Sequence, residues 1–182
     1  MDIRTIGSGT IGATNAARAF DGGASRLGML IAVMAIDVAK GFAPTYVAMD
    51  ISGAGAAVAT GSAALLGNYR PVFLRFQRGG KIVATTGGVG LAVAPLATLS
   101  AAVVWIAVFL VTRYASLASM VAAATLPLFA LLFDASWPVV AFTTGGALAI
   151  VLLHRGNIAR LAHGQESKMR LRGPRRPRAA NP

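Results

Sequence analysis

No cysteine occurs anywhere in the chain, which excludes disulfides and thiolate metal sites. Acids are nearly as scarce: six Asp and Glu stand against seventeen Lys and Arg, for a formal net charge of +11. So few carboxylates poorly equip the chain for carboxylate-pair chemistry. The two histidines, His154 and His163, are too few for a zinc site, and no serine–histidine–acid set stands out. Charged residues make up only 13% of the chain, about half the share in a soluble domain. The N-terminus carries Asp2 and Arg4 before a glycine-rich stretch, which does not fit a cleavable signal peptide.

What fills the chain is apolar. Hydrophobic residues reach 55% and mean hydropathy is +0.65, with the charges confined to short gaps between long apolar blocks. That is an integral membrane protein. Blocks run from Leu27 to Met49, Ala54 to Leu66, Val83 to Val111, Leu117 to Phe133 and Val139 to Leu153. The first has the length needed to cross a ~30 Å hydrocarbon core. Within it, Asp37 and Lys40 lie on one helical face and can pair, lowering the cost of burying either. The second is rich in Ala and Gly, suiting close helix packing.

As one helix, Val83 to Val111 would be about 43 Å long, and Pro95 falls near its middle. It reads as one kinked helix or as two short spans turning at Pro95. Charge decides between them. With two spans there are six crossings, and Arg4, Arg18, Arg26, Arg70, Arg75, Arg78, Lys81, Arg113 and the basic end of the chain share one face. The opposite turns, near Asp50, Pro95 and Asp134, hold no Lys or Arg. Short cytoplasmic loops are enriched in these residues. The expectation is therefore an all-α, polytopic cell-membrane protein of about six transmembrane helices, with both termini and the functional loops cytoplasmic. Residues 1–165 would form one domain, and the basic, proline-interrupted 166–182 a disordered tail. This arrangement accounts for the charge through anionic membrane lipids, without nucleic acid.

The glycine-rich stretch Gly7 to Arg18 combines a pliable backbone, side-chain donors and a guanidinium able to grip phosphate. Gly7-x-Gly9-x-x-Gly12 also matches the dinucleotide-binding pattern, but that pattern means little without a strand before it and a βαβ unit after it; only six residues precede Gly7, and Asp37 falls within an apolar helix. A plain glycine-rich loop is the other reading.

Pooled on one face, the gaps supply Ser8, Thr14, Asn15 and Arg18; Asn68, Arg70, Gly79, Gly80 and Lys81 with Thr85 and Thr86; Arg113, Tyr114 and Ser116; and His154, Arg155, Asn157, Arg160, Glu166 and Lys168. Cations, hydroxyls and amides around one carboxylate suit phosphates, and call for neither metal nor cofactor. Each residue has a plainer role as well. Arg18, Arg70 and Arg155 can snorkel to the interface, Ser116 can cap the following helix and His154 can end its own.

The motifs resemble one family in order. Ser8-Gly-Thr-Ile-Gly-Ala-Thr-Asn-Ala-Ala-Arg18 is similar to Ser-Gly-Asn-x-Gly-Ala-Thr-Asn-x-x-Arg of the acyl-phosphate-dependent bacterial glycerol-3-phosphate acyltransferases, the PlsY family. Asp37-Val-Ala-Lys40-Gly41 resembles its Asp-x-x-Lys-Gly. Gly67-Asn-Tyr-Arg-Pro71 and Gly79-Gly-Lys-Ile-Val-Ala-Thr85 resemble Gly-His-x-x-Pro and Gly-Gly-Lys-Gly-Val-Ala-Thr. Thr112-Arg-Tyr-Ala-Ser-Leu117 and His154-Arg-Gly-Asn-Ile-Ala-Arg-Leu161 through Gly164-Gln-Glu166 complete the series. The soluble-type His-x4-Asp acyltransferase motif is absent.

The resemblance implies acyl transfer from acyl phosphate to the 1-hydroxyl of glycerol 3-phosphate, giving 1-acyl-glycerol 3-phosphate and phosphate in phospholipid synthesis. It implies Ser8, Arg18, Lys81, Ser116 and Asn157 at the reacting centre. Gly9, Gly12, Thr14, Asn15, Asn68, Gly79, Gly80, Thr85, His154, Arg155, Arg160 and Glu166 would be substrate- or phosphate-binding.

Three positions depart: Thr10 for asparagine, Asn68 for histidine and Ile82 for glycine. Ile82 would block a backbone approach to phosphate, so a weakened or inactive phosphate-binding homologue is the second expectation. The Asp37–Lys40 pair alone motivates a third, a small transporter. The family's first transmembrane helix has no counterpart before the glycine loop, leaving a truncated or misassigned start and a six-span version as alternatives.

Overall fold

In a computed structural model the protein is described at residues 5, 11–17, 19–20, 23–77 and 79–169. Among these, regular structure is entirely helical: α1 (Ala13–Ala17), α2 (Gly23–Tyr69), a 3-10 turn (Val72–Leu74), α3 (Val83–Val93), α4 (Pro95–Thr112), α5 (Ala115–Leu132), α6 (Trp137–Leu153) and α7 (Arg155–Ala162). The absence of strands among the described residues removes the dinucleotide-binding context.

α2 is two helices in one. Gly53 leaves helical geometry with φ 75° and ψ −171°, a conformation in which only glycine is comfortable. The chain folds back there. Lys40 bonds Asn68, and a methyl on Gly61 would lie 3.3 Å from the Thr45 hydroxyl. Both pairs are centred on residues 53–54, so the arms 23–52 and 54–69 run antiparallel.

α3 crosses this pair at backbone contact. A methyl on Gly88 would run into the Val38 carbonyl, and one on Gly41 into the Thr85 carbonyl.

The apolar stretch from Val83 turns instead of continuing. Ala94 adopts φ −151° and ψ 68°, and Pro95 opens α4, where its fixed φ and missing N–H do no harm. A methyl on Gly90 would meet the Thr98 hydroxyl, so the turn is tight. Two helices replace the single kinked one.

The six apolar helices fall where the sequence places six spans. By length and composition α2, α4 and α5 are each sufficient to cross a membrane. α6 reaches that only together with α7, from which it is bent by 55°. The second arm of α2, at 16 residues, and α3, at 11, are shorter.

Small residues fill the interior: Ala57, Ala118 and Ala130 are fully buried and Ala97 nearly so. Large ones face outward, as in the α4 stripe Leu96, Leu99, Val103, Ile106 and Leu110. Small-in and large-out is how helices pack when the surrounding solvent is lipid.

Candidate active site

The second loop is shaped by close backbone pairing. After Tyr69 the 3-10 turn ends in Arg75 and Phe76, both left-handed at φ 49° and 58°. The chain then returns: Gly79 N–H donates to the Tyr69 carbonyl at 2.9 Å and Gly80 N–H to the Asn68 carbonyl at 3.1 Å. A side chain on Gly79 would collide with that carbonyl and with Pro71. One on Gly80 would lie 3.2–3.3 Å from the Asn68 amide and the Ile11 carbonyl. Glycine is what lets the end of the first loop, the end of α2 and this extended segment (the glycine strand, which belongs to no sheet) meet.

Ile82 follows in the left-handed region, φ 60° and ψ −1°, and its carbonyl accepts the first α3 bond from Thr86 N–H. Its side chain is buried with Leu65, Val89, Phe142 and Ile150. The expectation that it stands over the phosphate approach is corrected: it anchors the start of α3 in the core.

Lys81, between the glycines and Ile82, reaches the Asn157 Oδ1 on α7 at 2.6 Å. Asn157 is buried, and its Nδ2 donates to Glu166 Oε1 at 2.7 Å. Ser116 Oγ, in the first turn of α5, donates to the same oxygen at 2.7 Å. It therefore does not cap its helix, the plainer role open to it. Arg160 Nε closes the set on Glu166 Oε2 at 2.8 Å. Burial raises the Glu166 pKa, but hydrogen bonds from Ser116, Asn157 and Arg160 and the Arg160 charge outweigh it, holding the carboxyl below its ordinary value. The Glu166 side chain is 8% exposed.

The tail expected to start at 166 is fastened here. Besides Glu166, Met169 N–H donates to the Arg113 carbonyl at 2.9 Å, and Lys168 lies 5.5 Å from the Tyr114 ring centre. The bundle thus holds the chain as far as Met169. The rest, 170–182, lies outside the described residues.

A second polar set lies across the glycine strand. Lys40 pairs with Asp37 at 2.5 Å and donates to Asn68 Oδ1 at 2.8 Å, while Asn68 Nδ2 donates to the buried Thr85 Oγ1 at 2.9 Å. Beside it, Ile11, Gly12, Ala16, Asp37, Lys40 and Phe73 help line a mainly apolar cavity of about 420 Å³.

His154 sits between α6 and α7, 3% exposed, with Nδ1 at 2.8 Å from the Ile150 carbonyl. A carbonyl can only accept, so Nδ1 carries a proton and donates it there. Asn15 is buried on α1, Thr14 beside it is half-buried and Arg155 is exposed.

The structure thus brings Lys81, Ser116, Asn157, Arg160 and Glu166 into one cluster, and Asn68, Thr85, Gly79 and Gly80 around another, with Gly12 on its cavity. Ser8, Gly9 and Arg18 lie outside the described residues. Lys40 joins the site although the sequence reading left it as half of an intramembrane pair. Its signal was a cation within an apolar block, but its partner Asn68 is 28 residues away. No His, Cys, Asp or Glu group among the described residues is arranged to hold a metal.

Residues 1–164 match the family described as glycerol-3-phosphate acyltransferase. A protein of that name from Desulforudis audaxviator is 44% identical over 94% of this chain and 84% of its own. One from Aquifex aeolicus is 42% identical over 92% and 85%. A crystal structure of PlsY, an integral membrane glycerol 3-phosphate acyltransferase in its glycerol 3-phosphate form, superposes with a TM-score of 0.87. It is 37% identical and covers 93% of this chain and 83% of that one. The lysophosphatidic acid form gives 0.82 at 36% identity, over 90% and 82%. With the family matched across nearly its whole length and relatives above 40% identity, the chain belongs to the PlsY glycerol-3-phosphate acyltransferases.

Proposed function

We propose that this membrane protein transfers a fatty acyl group from acyl phosphate to the 1-hydroxyl of glycerol 3-phosphate. The observation that carries the reading is the Lys81–Asn157–Glu166–Ser116 chain of bonds. It gathers a cation, an amide and a hydroxyl from three distant segments at one point, the donor set an anionic substrate needs.

The acyl phosphate is already activated, so the protein's task is positioning and charge stabilisation. The hydroxyl oxygen bonds to the acyl carbon, the acyl carbon–oxygen bond to phosphate breaks, and the hydroxyl proton ends on inorganic phosphate. Lys81, Ser116 and Asn157, with Ser8 and Arg18 from the first loop, hold the phosphates and the reacting carbonyl. Glu166 and Arg160 fix Ser116 and Asn157. His154 and the glycines 12, 79 and 80 complete the walls, with Thr14, Asn15, Asn68, Thr85 and Arg155 around them, and Gly9 serves substrate binding alongside Ser8.

The one-sided distribution of basic gaps supports a multi-pass cell-membrane protein with both termini and this site at the cytoplasmic face, against anionic lipid. The catalytic domain is residues 1–165 followed by the anchored start of the tail.

Purified protein in detergent is expected to release phosphate from palmitoyl phosphate only when glycerol 3-phosphate is added. Ser116→Ala and Lys81→Met should lower kcat/KM by about 10²-fold or more, the scale of removing one such donor. Absence of turnover by folded wild-type protein would overturn the reading.

A further inference from the structure

We propose that Asn68 is a positioning residue: it fixes Lys81 by bracing the Gly79–Gly80 strand with its backbone and two helices with its amide. The proposal rests on Lys81 serving the acyl transfer described above.

Asn68 is buried and each of its polar groups is engaged. Its carbonyl accepts Gly80 N–H at 3.1 Å, one residue before Lys81. Its Oδ1 accepts from Lys40 Nζ at 2.8 Å, and its Nδ2 donates to Thr85 Oγ1 at 2.9 Å. An ammonium only donates, so the orientation of the amide is not arbitrary: oxygen to Lys40, nitrogen to Thr85. Lys40 is itself steadied by Asp37 at 2.5 Å. One side chain therefore ties the first arm of α2 to α3, while the same residue's backbone sets the strand that delivers Lys81 to Asn157.

The position demands an acceptor facing a fixed cation and a donor facing a hydroxyl at the same time. An amide meets both demands at every pH. A neutral imidazole meets them too, but an imidazolium has no acceptor to offer Lys40. The charged and titratable groups around the amide are Lys40 and Asp37 on α2, Lys81 beyond Gly80, and the adjoining Tyr69 and Arg70. Thr85 on α3 does not titrate. Arg70 is turned away, donating to the Phe76 carbonyl at 2.9 Å.

The test uses the full chain in detergent, with palmitoyl phosphate and glycerol 3-phosphate, between pH 5.5 and 8.5. Asn68→His should come closest to wild-type kcat/KM at the alkaline end, at pH 8.5, and remain below it. On acidification it should fall about tenfold per pH unit below an imidazole pKa that Lys40 holds under the usual ~6.5, and it should recover when the sample is returned to pH 8.5. Wild type should lack this additional acid limb. Asn68→Leu should lose at least tenfold in kcat/KM at every pH, mainly as a raised KM for glycerol 3-phosphate. Adding Lys40→Met should cost little more, because both substitutions cut the same brace.

Thermal melts give a readout without turnover. The Tm gap between wild type and Asn68→His should widen as pH falls through about 6.5, since a folded imidazole with a depressed pKa loses stability below its unfolded value. An Asn68→His enzyme whose pH profile parallels wild type, or an Asn68→Leu enzyme with wild-type KM and kcat, would overturn the proposal. So would a Tm gap that does not change with pH. Wild-type protein that melts cooperatively but never turns over would instead overturn the acyltransferase reading, and the melts would still decide the brace.

Discussion

Ile82 provides a test in which two opposing energies can be separated. It holds φ 60°, and an L-residue in the left-handed region costs roughly 1–2 kcal/mol, with a β-branched side chain an outlier there. Its side chain is 5% exposed, and truncating such a residue to Ala costs about 2–5 kcal/mol in lost packing and a residual cavity. Ile82→Ala therefore loses the packing and keeps most of the backbone strain. Ile82→Gly loses the same packing but releases the strain. Against this, Gly carries an entropic penalty of about 0.5–1 kcal/mol where the backbone is regular. At this angle the balance favours Gly over Ala by about 1 kcal/mol, with both variants below wild type.

In an ordinary helical position the order reverses, Ala exceeding Gly by about 1 kcal/mol. For a chain of this size 1 kcal/mol corresponds to roughly 2–4 °C in Tm. Thermal unfolding of the two variants side by side in one detergent resolves that difference. An Ala variant more stable than the Gly variant would refute the account of Ile82 as a strained anchor. A gain of activity in Ile82→Gly would show that the side chain obstructs the phosphate approach after all.

Other positions extend the reasoning. Glu166 has a carboxyl held below its ordinary pKa, so its contribution to stability is full above the unfolded Glu value of about 4.3 and is lost as pH falls through the lower folded value. In Glu166→Gln the wild-type advantage in Tm should shrink toward acid, and a pH-independent gap would contradict it. Gly88→Ala should destabilise by at least ~1–3 kcal/mol, because the methyl meets the immovable Val38 carbonyl. Gly87→Ala, with open space around it, should be neutral or gain up to ~1 kcal/mol; equal melts for the two would refute the helix crossing. Because the chain has no cysteine, single substitutions at exposed Arg155 and Asp134 report topology directly. An impermeant maleimide on intact cells should spare Arg155→Cys and label Asp134→Cys, and the reverse pattern would invert the orientation.

Much of the fold was legible because lipid imposes long, simple patterns. The apolar blocks became helices with boundaries near those read from composition, and Pro95 marked a true turn because its ring suits a first helical position. What was hidden depends on contacts distant in sequence. α7 falls in a gap between apolar blocks: its eight residues, Arg155–Ala162, mix charges with Ile158 and Leu161 too briefly to show a period. The cluster Lys81, Ser116, Asn157, Arg160 and Glu166 was legible as a set of residue types on one face, but not as a bonded chain. The Lys40–Asn68 bond is not legible in sequence, because the fold-back at Gly53 that brings Asn68 beside Lys40 rests on one residue's backbone conformation. Ile82 was judged by its chemical type, and only the backbone shows that its side chain turns into the core.

The contacts that complete the site also order its assembly during synthesis. Lys40, Asn68, Gly80 and Thr85 lie within one short length of chain and can meet early. Lys81 and Asn157 are separated by 76 residues, and Ser116 and Glu166 by 50. At about 5–20 residues per second, Asn157 is made roughly 4–15 s after Lys81. The cation-bearing strand is thus braced before its distal partners exist, and the acyl-transfer centre closes only with the last helix and the residues that follow it. A nascent chain halted before that point has the Lys40–Asn68–Thr85 brace but lacks the side chains that Lys81 and Ser116 bond to, so such a chain should show no acyl transfer.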